Sequence, residues 1–351
     1  MFEEEHLSIA RISTLLLILL TISCATSNDS TKVGQSNCHV KRAAIDLGSG
    51  STKLVVGLVD TCRAMVEGIL FEAQRAVPLK DQLQSSKDNK FNEEMQNRLR
   101  DVFDEFKYLA KNEGAEDIRA VATSAFRTSA NGDDVADQLK EQTGVDLEII
   151  SQEDEAKFAY SAALSKLKSM NVSQNPPIAI WDIGGGSMQI TKPIDKKGEQ
   201  TQVALLKVAS VTFKNLVLKE FYPKGTKTPN PLKEERALKA MDLARVTAKE
   251  QLSDFGNLKD YQVYGVGGVH YFSIGGQFKK ANRVYNQSTL LAKLLERAKL
   301  TDKEIDSKYA STDVTNMALV LGFMQTLKVD EVKPIKVNMA HGLLINPTFW
   351  E

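Results

Sequence analysis

Two stretches of the chain carry the same alternation of short apolar runs and glycine turns. Arg42–Asp46 (RAAID) is a compact apolar run, Leu47–Ser51 a turn, and Thr52–Asp60 (TKLVVGLVD) apolar again, which reads as strand, glycine turn, strand. A third strand is predicted over Ala64–Phe71 and a polar loop over Lys80–Lys90. Met95, Leu99, Val102, Phe103, Phe106 and Leu109 recur at helical spacing, so Phe91–Glu113 is a predicted helix ending near Gly114. A strand over Ile118–Ala122, a helix over Asp133–Gln142 stopped by Gly144, and a strand over Leu147–Ile150 follow; Ser151 and Asp154 resemble the cap of another helix. After Asn175-Pro176-Pro177 the pattern restarts: strand Ile178–Asp182, turn Ile183–Ser187, strand Met188–Thr191, and a third strand over Gln202–Val208. Helices are expected around Lys233–Leu252, Ser288–Ala298 and Thr312–Thr326, with a strand at Tyr261–Tyr264.

The restart is an internal repeat. Ile45–Ser51 (IDLGSGS) aligns with Trp181–Ser187 (WDIGGGS), placing Asp46 over Asp182, Gly48 over Gly184, Gly50 over Gly186 and Ser51 over Ser187 at a constant offset of 136 residues. Two similar domains, each opening on strand–turn–strand, imply a cleft with two like loops facing each other. A glycine turn lets backbone N–H groups approach a phosphate, and an Asp at the preceding strand end can hold Mg²⁺. Either loop alone reads equally as a hairpin without ligand; the pair favours a phosphate clamp. A dinucleotide fingerprint fails, because Gln189 stands where its third glycine would fall. Val121–Arg127 (VATSAFR) is a strand running into hydroxyls and a cation, with Arg127 either a bidentate phosphate clamp or a surface residue opening a helix. Glu153-Asp154-Glu155 sits in a helix first turn, where acids complement the dipole; in a phosphate cleft one of them could act as base toward water. Gly265-Val-Gly-Gly268 is a third glycine turn, suited to a cleft floor.

The 351 residues carry 45 Lys plus Arg and 45 Asp plus Glu, so a bulk polyanion binder is excluded and any phosphate site must be a local concentration of donors; no nucleic-acid partner is expected. Four scattered His and three Cys without CxxC spacing argue against a structural zinc site. Ile12–Ser23 (ISTLLLILLTIS) is short for a membrane span and suits the apolar region of a secretory signal, although Glu3-Glu4-Glu5 before it are acidic. Cys24 follows as in a loose lipoprotein box, then a polar tether. The expectation is an exported, periplasmic, lipid-anchored bacterial protein, divided as signal 1–23, tether 24–40, domain I 41–152 and domain II 153–351. If the first hairpin is centred on Ser49-Gly50-Ser51, Cys38 and Cys62 lie opposite each other; a disulfide between them is the hypothesis, two separate thiols the alternative.

At these residues the chain resembles the exopolyphosphatase/guanosine pentaphosphatase (Ppx/GppA) family, over roughly residues 42–345. AAIDLGSGSTK resembles its first phosphate motif, VATSAFRTSANGDD its ATSAxR stretch, LEIISQEDEAKFAY its E-I-I-S-x-x-E-E-A segment, and AIWDIGGGSMQI its second phosphate motif. The resemblance implies an α/β fold of two ribonuclease-H-like domains, as in the actin/Hsp70/sugar-kinase superfamily, with an interdomain cleft. It implies a Mg²⁺-dependent hydrolase releasing terminal phosphate from inorganic polyphosphate. The alternatives are guanosine pentaphosphate 5′-hydrolysis or a non-catalytic binder of polyphosphate or nucleotide, and a homodimer is among the expected assemblies. By position, Glu155 is the implied catalytic base, flanked by Glu148 and Asp154. Asp46 and Asp182 are the implied metal ligands. Gly48, Ser49, Lys53, Arg127, Gly184, Gly185, Gly186 and Ser187 are the implied phosphate-binding residues. Two places depart from the family pattern: Val269-His270 follows the third glycine turn where G-T is usual, and Ala340-His341-Gly342 stands where R-E-G is usual.

Overall fold

The computed structural model describes residues 38–195 and 200–350. The segment expected to be a secretory signal, Cys24 and most of the expected tether lie outside the described residues. His39 and Val40, read from sequence as the end of the tether, instead begin the first strand.

The first sheet is built from β1 (His39–Leu47), β2 (Ser51–Asp60), β3 (Met65–Ala76), β4 (Asp117–Ala122) and β5 (Asp146–Ile149), in the order β3-β2-β1-β4-β5. β1, β2 and β3 form an antiparallel meander, and β4 and β5 run parallel to β1. The second sheet contains β6 (Ile178–Ile183), β7 (Met188–Pro193), β8 (Thr201–Leu206), β9 (Gln262–Val266), β10 (Tyr285–Asn286) and β11 (Glu331–Pro334), in the order β10-β11-β9-β6-β7-β8. Here too a meander, β6-β7-β8, is flanked by strands parallel to its first member, β9 and then β11. The repeat seen in seven residues of sequence therefore extends to the connectivity of both sheets, a mixed α/β fold.

The helices are α1 (Leu79–Ser85), α2 (Glu93–Asn112), α3 (Ser124–Thr128), α4 (Gly132–Thr143), α5 (Gln152–Ser169), α6 (Ser210–Phe221), α7 (Glu234–Gln251), α8 (Gln287–Arg297), α9 (Asp302–Ile305), α10 (Ala310–Leu327) and α11 (Met339–Ile345). α2 turns Leu99, Phe103 and Phe106 onto Ile45, Leu54 and Val56 of the first sheet. Each such fully buried side chain contributes about 2–3 kcal/mol of burial free energy. α10 is buried on nearly every face and packs between α7 and the second sheet, against a core that includes Trp181 and Phe213. An apolar helix of this kind needs cover all round.

Two elements that the sequence pattern left out shape the cleft. The segment read as a polar loop from Lys80 contains α1, whose Leu79 and Leu83 are its only buried anchors. α11, at the far end of the chain, returns to the first sheet and packs Leu343 and Leu344 against Ala44, Val55 and Val59. The first hairpin has a four-residue turn: Leu47 pairs with Thr52 and His39 with Asp60, so Cys38 lies across from Thr61, whose N–H donates to the Cys38 carbonyl at 2.7 Å. Cys62 is the next residue, and a disulfide joins it to Cys38 with a Cα–Cα distance of 5.4 Å.

Candidate functional site

The two repeat loops meet where the sheets approach each other. In each, the first glycine N–H donates back to the carbonyl of the serine three residues on: Gly48 to Ser51 at 3.1 Å and Gly184 to Ser187 at 3.0 Å. The loops are also held from outside. Lys80 N–H donates to the Ser49 carbonyl at 2.9 Å, and the α6 N-terminus donates through Ser210 and Val211 to the carbonyls of Gly184 and Gly185 at 3.1 and 2.9 Å. Both loops thus turn their carbonyls to the fold. The approach between them is close: a Cβ on Gly186 would lie 2.6 Å from Ser49 Oγ and 2.7 Å from Ser124 Oγ. Any side chain there would force Ser49 and Ser124 aside.

Three carboxylates converge on this place. Asp46 and Asp182 are the next-to-last residues of β1 and β6, and Glu155 lies in the first turn of α5. α5 begins there because Ser151 caps it, its hydroxyl accepting from Asp154 N–H at 3.0 Å. Of the three acids in that turn only Glu155 is buried; Asp154 pairs with Lys157 at 2.8 Å, and Glu153 and Glu148 face solvent. Glu155 is gripped at both oxygens. Arg127 Nη2 donates to Oε2 at 2.8 Å and Ser187 Oγ donates to Oε1 at 2.9 Å. Arg127 also donates through Nη1 to the Ile150 carbonyl at 2.8 Å. Lys53 Nζ donates to Asp46 Oδ2 at 2.9 Å.

The electrostatics follow from burial. Burial raises the Glu155 pKa, and the neighbouring Arg127 and Ser187 only partly offset it. Asp182 is pushed up to about 7, first by burial and then by the charge of Glu155, with Lys53 opposing. Burial works against the Lys53 ammonium, but Asp46, Asp182 and Glu155 outweigh it and raise its pKa. The third glycine turn presses on the same group: Gly267 has φ 80°, and a Cβ there would sit 2.6 Å from Asp182 Oδ1.

Carboxylates at two matching strand ends, Asp46 buried and Asp182 half-buried and reluctant to ionise, are a hard-cation donor set, and Asp46 and Asp182 fit Mg²⁺ on those grounds. The other sequence candidates, Gly48, Ser49, Lys53, Arg127, Gly184, Gly185, Gly186 and Ser187, all lie on these loops or against them. Of the remaining candidates, Cys24 lies outside the described residues, and Cys38 and Cys62 are at the opposite end of β1 from Asp46.

Two residues at the departures from the family pattern sit apart from the carboxylates. His270 is fully buried, its Nδ1 2.6 Å from the Tyr285 hydroxyl, and burial lowers its pKa to about 3. His341 lies beneath a cavity of about 240 Å³ that opens beside Lys53 and Gly267 and also touches Glu72, Tyr271 and Asn338. Burial lowers the His341 pKa to about 4, despite Glu72 Oε1 at 3.5 Å from Nε2.

One cation was absent from the sequence reading. Lys80, on α1, has Nζ 2.9 Å from Thr128 Oγ1 and, among the described residues, no carboxylate partner. Burial and then the charge of Arg127 lower its pKa. A half-buried ammonium held next to a guanidinium is an anion-binding arrangement. The only signal for it in the sequence was its place immediately after the buried Leu79.

Comparison with known proteins fits this geometry. The Ppx/GppA phosphatase family profile matches residues 58–249, more than half of the chain. Exopolyphosphatase 1 of Mycobacterium tuberculosis is 28% identical over 160 residues, covering 46% of this chain and 44% of the relative. The guanosine-5′-triphosphate,3′-diphosphate pyrophosphatase of Photobacterium profundum is 28% identical over 185 residues, 51% of this chain and 34% of the relative. The matches thus span less than half the length of these curated relatives. Among solved structures, the Aquifex aeolicus Ppx/GppA family member superposes with a TM-score of 0.67 at 19% identity, over 88% of this chain and 97% of that one, and so has the same fold. A two-sheet α/β fold with paired glycine loops, together with a family match across more than half of its length, makes this chain a member of the Ppx/GppA phosphatase family.

Proposed function

We propose that the protein is a Mg²⁺-dependent phosphohydrolase that releases the terminal phosphate of inorganic polyphosphate, with Glu155 as the general base. The observation that carries this reading is the placement of Glu155, buried between Arg127 and Ser187 at the junction of the two loops. Burial raises its basicity, so it can take a proton from a water aimed at the terminal phosphorus. Loop amides of Ser49, Gly50, Gly185 and Gly186, which the turns leave unused, donate to the phosphate oxygens, and Arg127 and Lys53 balance the charge that builds up in the transition state. Asp46 and Asp182 would hold Mg²⁺, which when bound supplies charge neutralisation at the phosphate oxygens. Arg127 does two jobs in this scheme: it orients Glu155, and it presents its remaining N–H groups to the phosphate chain.

The second reading is 5′-phosphate hydrolysis of guanosine pentaphosphate. It draws on the cavity beside Lys53, where Tyr271 and Phe272 offer aromatic surface next to the carboxylate cluster. An exported chain anchored through Cys24 would meet polyphosphate rather than a cytoplasmic nucleotide, which favours the first. Phosphate release from polyphosphate, guanosine pentaphosphate and ATP, each with Mg²⁺ or with chelator, tests both. Metal-dependent release from polyphosphate is the expected result. Release from none of the three would overturn hydrolysis, and release from the nucleotide alone would favour the second reading.

A further inference from the structure

At the end of the first sheet remote from the carboxylate cluster, three potential metal ligands converge from three neighbouring strands. His39 begins β1, Asp60 ends β2 and Glu67 lies near the start of β3. Along β1 this is eight residues from Leu47, or roughly 26 Å at the rise of a strand, so it is a separate place from the proposed reaction centre.

The register explains the convergence. His39 and Asp60 are direct antiparallel partners, which puts their side chains on one face. Glu67 is brought in by an irregularity: Val59 pairs with Val66 but Leu58 with Gly68, so Glu67 is the extra residue of a β-bulge. Bulges re-aim side chains, and this one delivers the Glu67 carboxylate to the imidazole, with Oε2 and Oε1 at 3.2 and 3.3 Å from His39 Nε2. One ligand atom from each of His39, Asp60 and Glu67 lies within 4.8 Å of the other two. The Cys38–Cys62 disulfide pins the strand ends next to His39 and Asp60, which holds their spacing.

We propose that His39, Asp60 and Glu67 form a binding site for a transition-metal dication of the zinc class. One imidazole nitrogen and two carboxylates suit Zn²⁺ and its neighbours better than Mg²⁺, which takes oxygen ligands and keeps its waters. Bonds of about 2.0–2.2 Å bring tetrahedral ligand atoms to roughly 3.4 Å apart, which these side chains reach by small rotations. Asp60 is already fixed: its carboxylate is nearly buried and its Oδ1 accepts from Arg63 N–H at 3.0 Å. The competitor is the Arg63 guanidinium, whose Nε lies 3.5 Å from Asp60 Oδ2, but that side chain is 75% exposed and can leave. The arrangement is invisible to ligand spacing in the sequence because a strand pairing and a bulge create it.

The test is zinc binding to the full-length, disulfide-intact chain by isothermal titration with excess Mg²⁺ present, and Co²⁺ absorption as an optical reporter of tetrahedral ligation. His39→Ala and Glu67→Gln change exposed residues and preserve the fold. The expected result is one tight equivalent in the wild type, weakened at least about tenfold in each variant, with the Co²⁺ signal lost. Arg63→Ala should bind more tightly than the wild type. Zinc should raise the melting temperature of the wild type and leave that of His39→Ala unchanged. No stoichiometric zinc uptake by the wild type, or equal uptake by His39→Ala and Glu67→Gln, would overturn the proposal.

Discussion

Replacing Asp182 with Asn removes a charge that the fold holds at a cost. An Asp titrates near 3.8 in an ordinary setting and Asp182 is pushed up to about 7. The folded protein therefore binds this proton more tightly than the unfolded chain does. The contribution of Asp182 to wild-type stability falls as pH rises from about 4 to about 7 and levels off above that. The difference of about 3 pH units, at about 1.4 kcal/mol each, amounts to roughly 4 kcal/mol of stability given up by neutral pH. Asn carries no such dependence. Whatever Asn costs in packing, the stability of Asp182→Asn relative to wild type should improve by about 3 kcal/mol between about pH 5 and about pH 8. Urea unfolding of both proteins followed by circular dichroism, at both pH values in chelator, reads this directly. Adding Mg²⁺ should shrink the advantage at the higher pH, because the proposed ion stabilises the ionised wild-type carboxylate. Activity should fall with the loss of the ligand. A stability difference that stays constant across that pH range would refute the burial argument for Asp182.

Two further substitutions probe the surroundings of the same place. Lys80→Ala removes an ammonium that feels the charge of Arg127; KM for polyphosphate should rise about 10-fold with kcat within a factor of a few, measured as initial phosphate release, and an unchanged KM would remove Lys80 from the binding track. Gly186→Ala places a Cβ against the Ser49 and Ser124 hydroxyls, so both must turn away from the junction; a drop in kcat/KM of about 100-fold is expected with the far-UV circular dichroism spectrum intact, and wild-type kinetics would show that those hydroxyl positions do not matter to the reaction.

The repeat at Asp46 and Asp182 was legible because the turns between their strands are local: a strand end, an Asp and two glycines are written within seven residues, and the same carbonyl-accepting turn forms at both. α2 was legible for the same reason, with its apolar stripe in one continuous segment. α1 was not, because it is anchored by only Leu79 and Leu83 and its stability comes from what it docks on. Lys80 went with it. The burial of Glu155 alone in an acidic run was also beyond the sequence, since Glu153, Asp154 and Glu155 differ only in which way the helix turns them. The hairpin placed Cys38 near Cys62, while its four-residue turn put the direct partner of Cys38 at Thr61. His270 and His341 stood out as departures in the sequence, but what surrounds them, the Tyr285 hydroxyl for one and the cavity for the other, comes from chain segments that no local pattern connects.

The proposed role of Glu155 is to take the proton from the attacking water. It is tested most directly by Glu155→Gln, which keeps the shape and the Ser187 contact, assayed for Mg²⁺-dependent phosphate release alongside direct binding of labelled polyphosphate. The expected result is a loss of about 10²–10⁴ in kcat with binding retained. Turnover at the wild-type rate would contradict it.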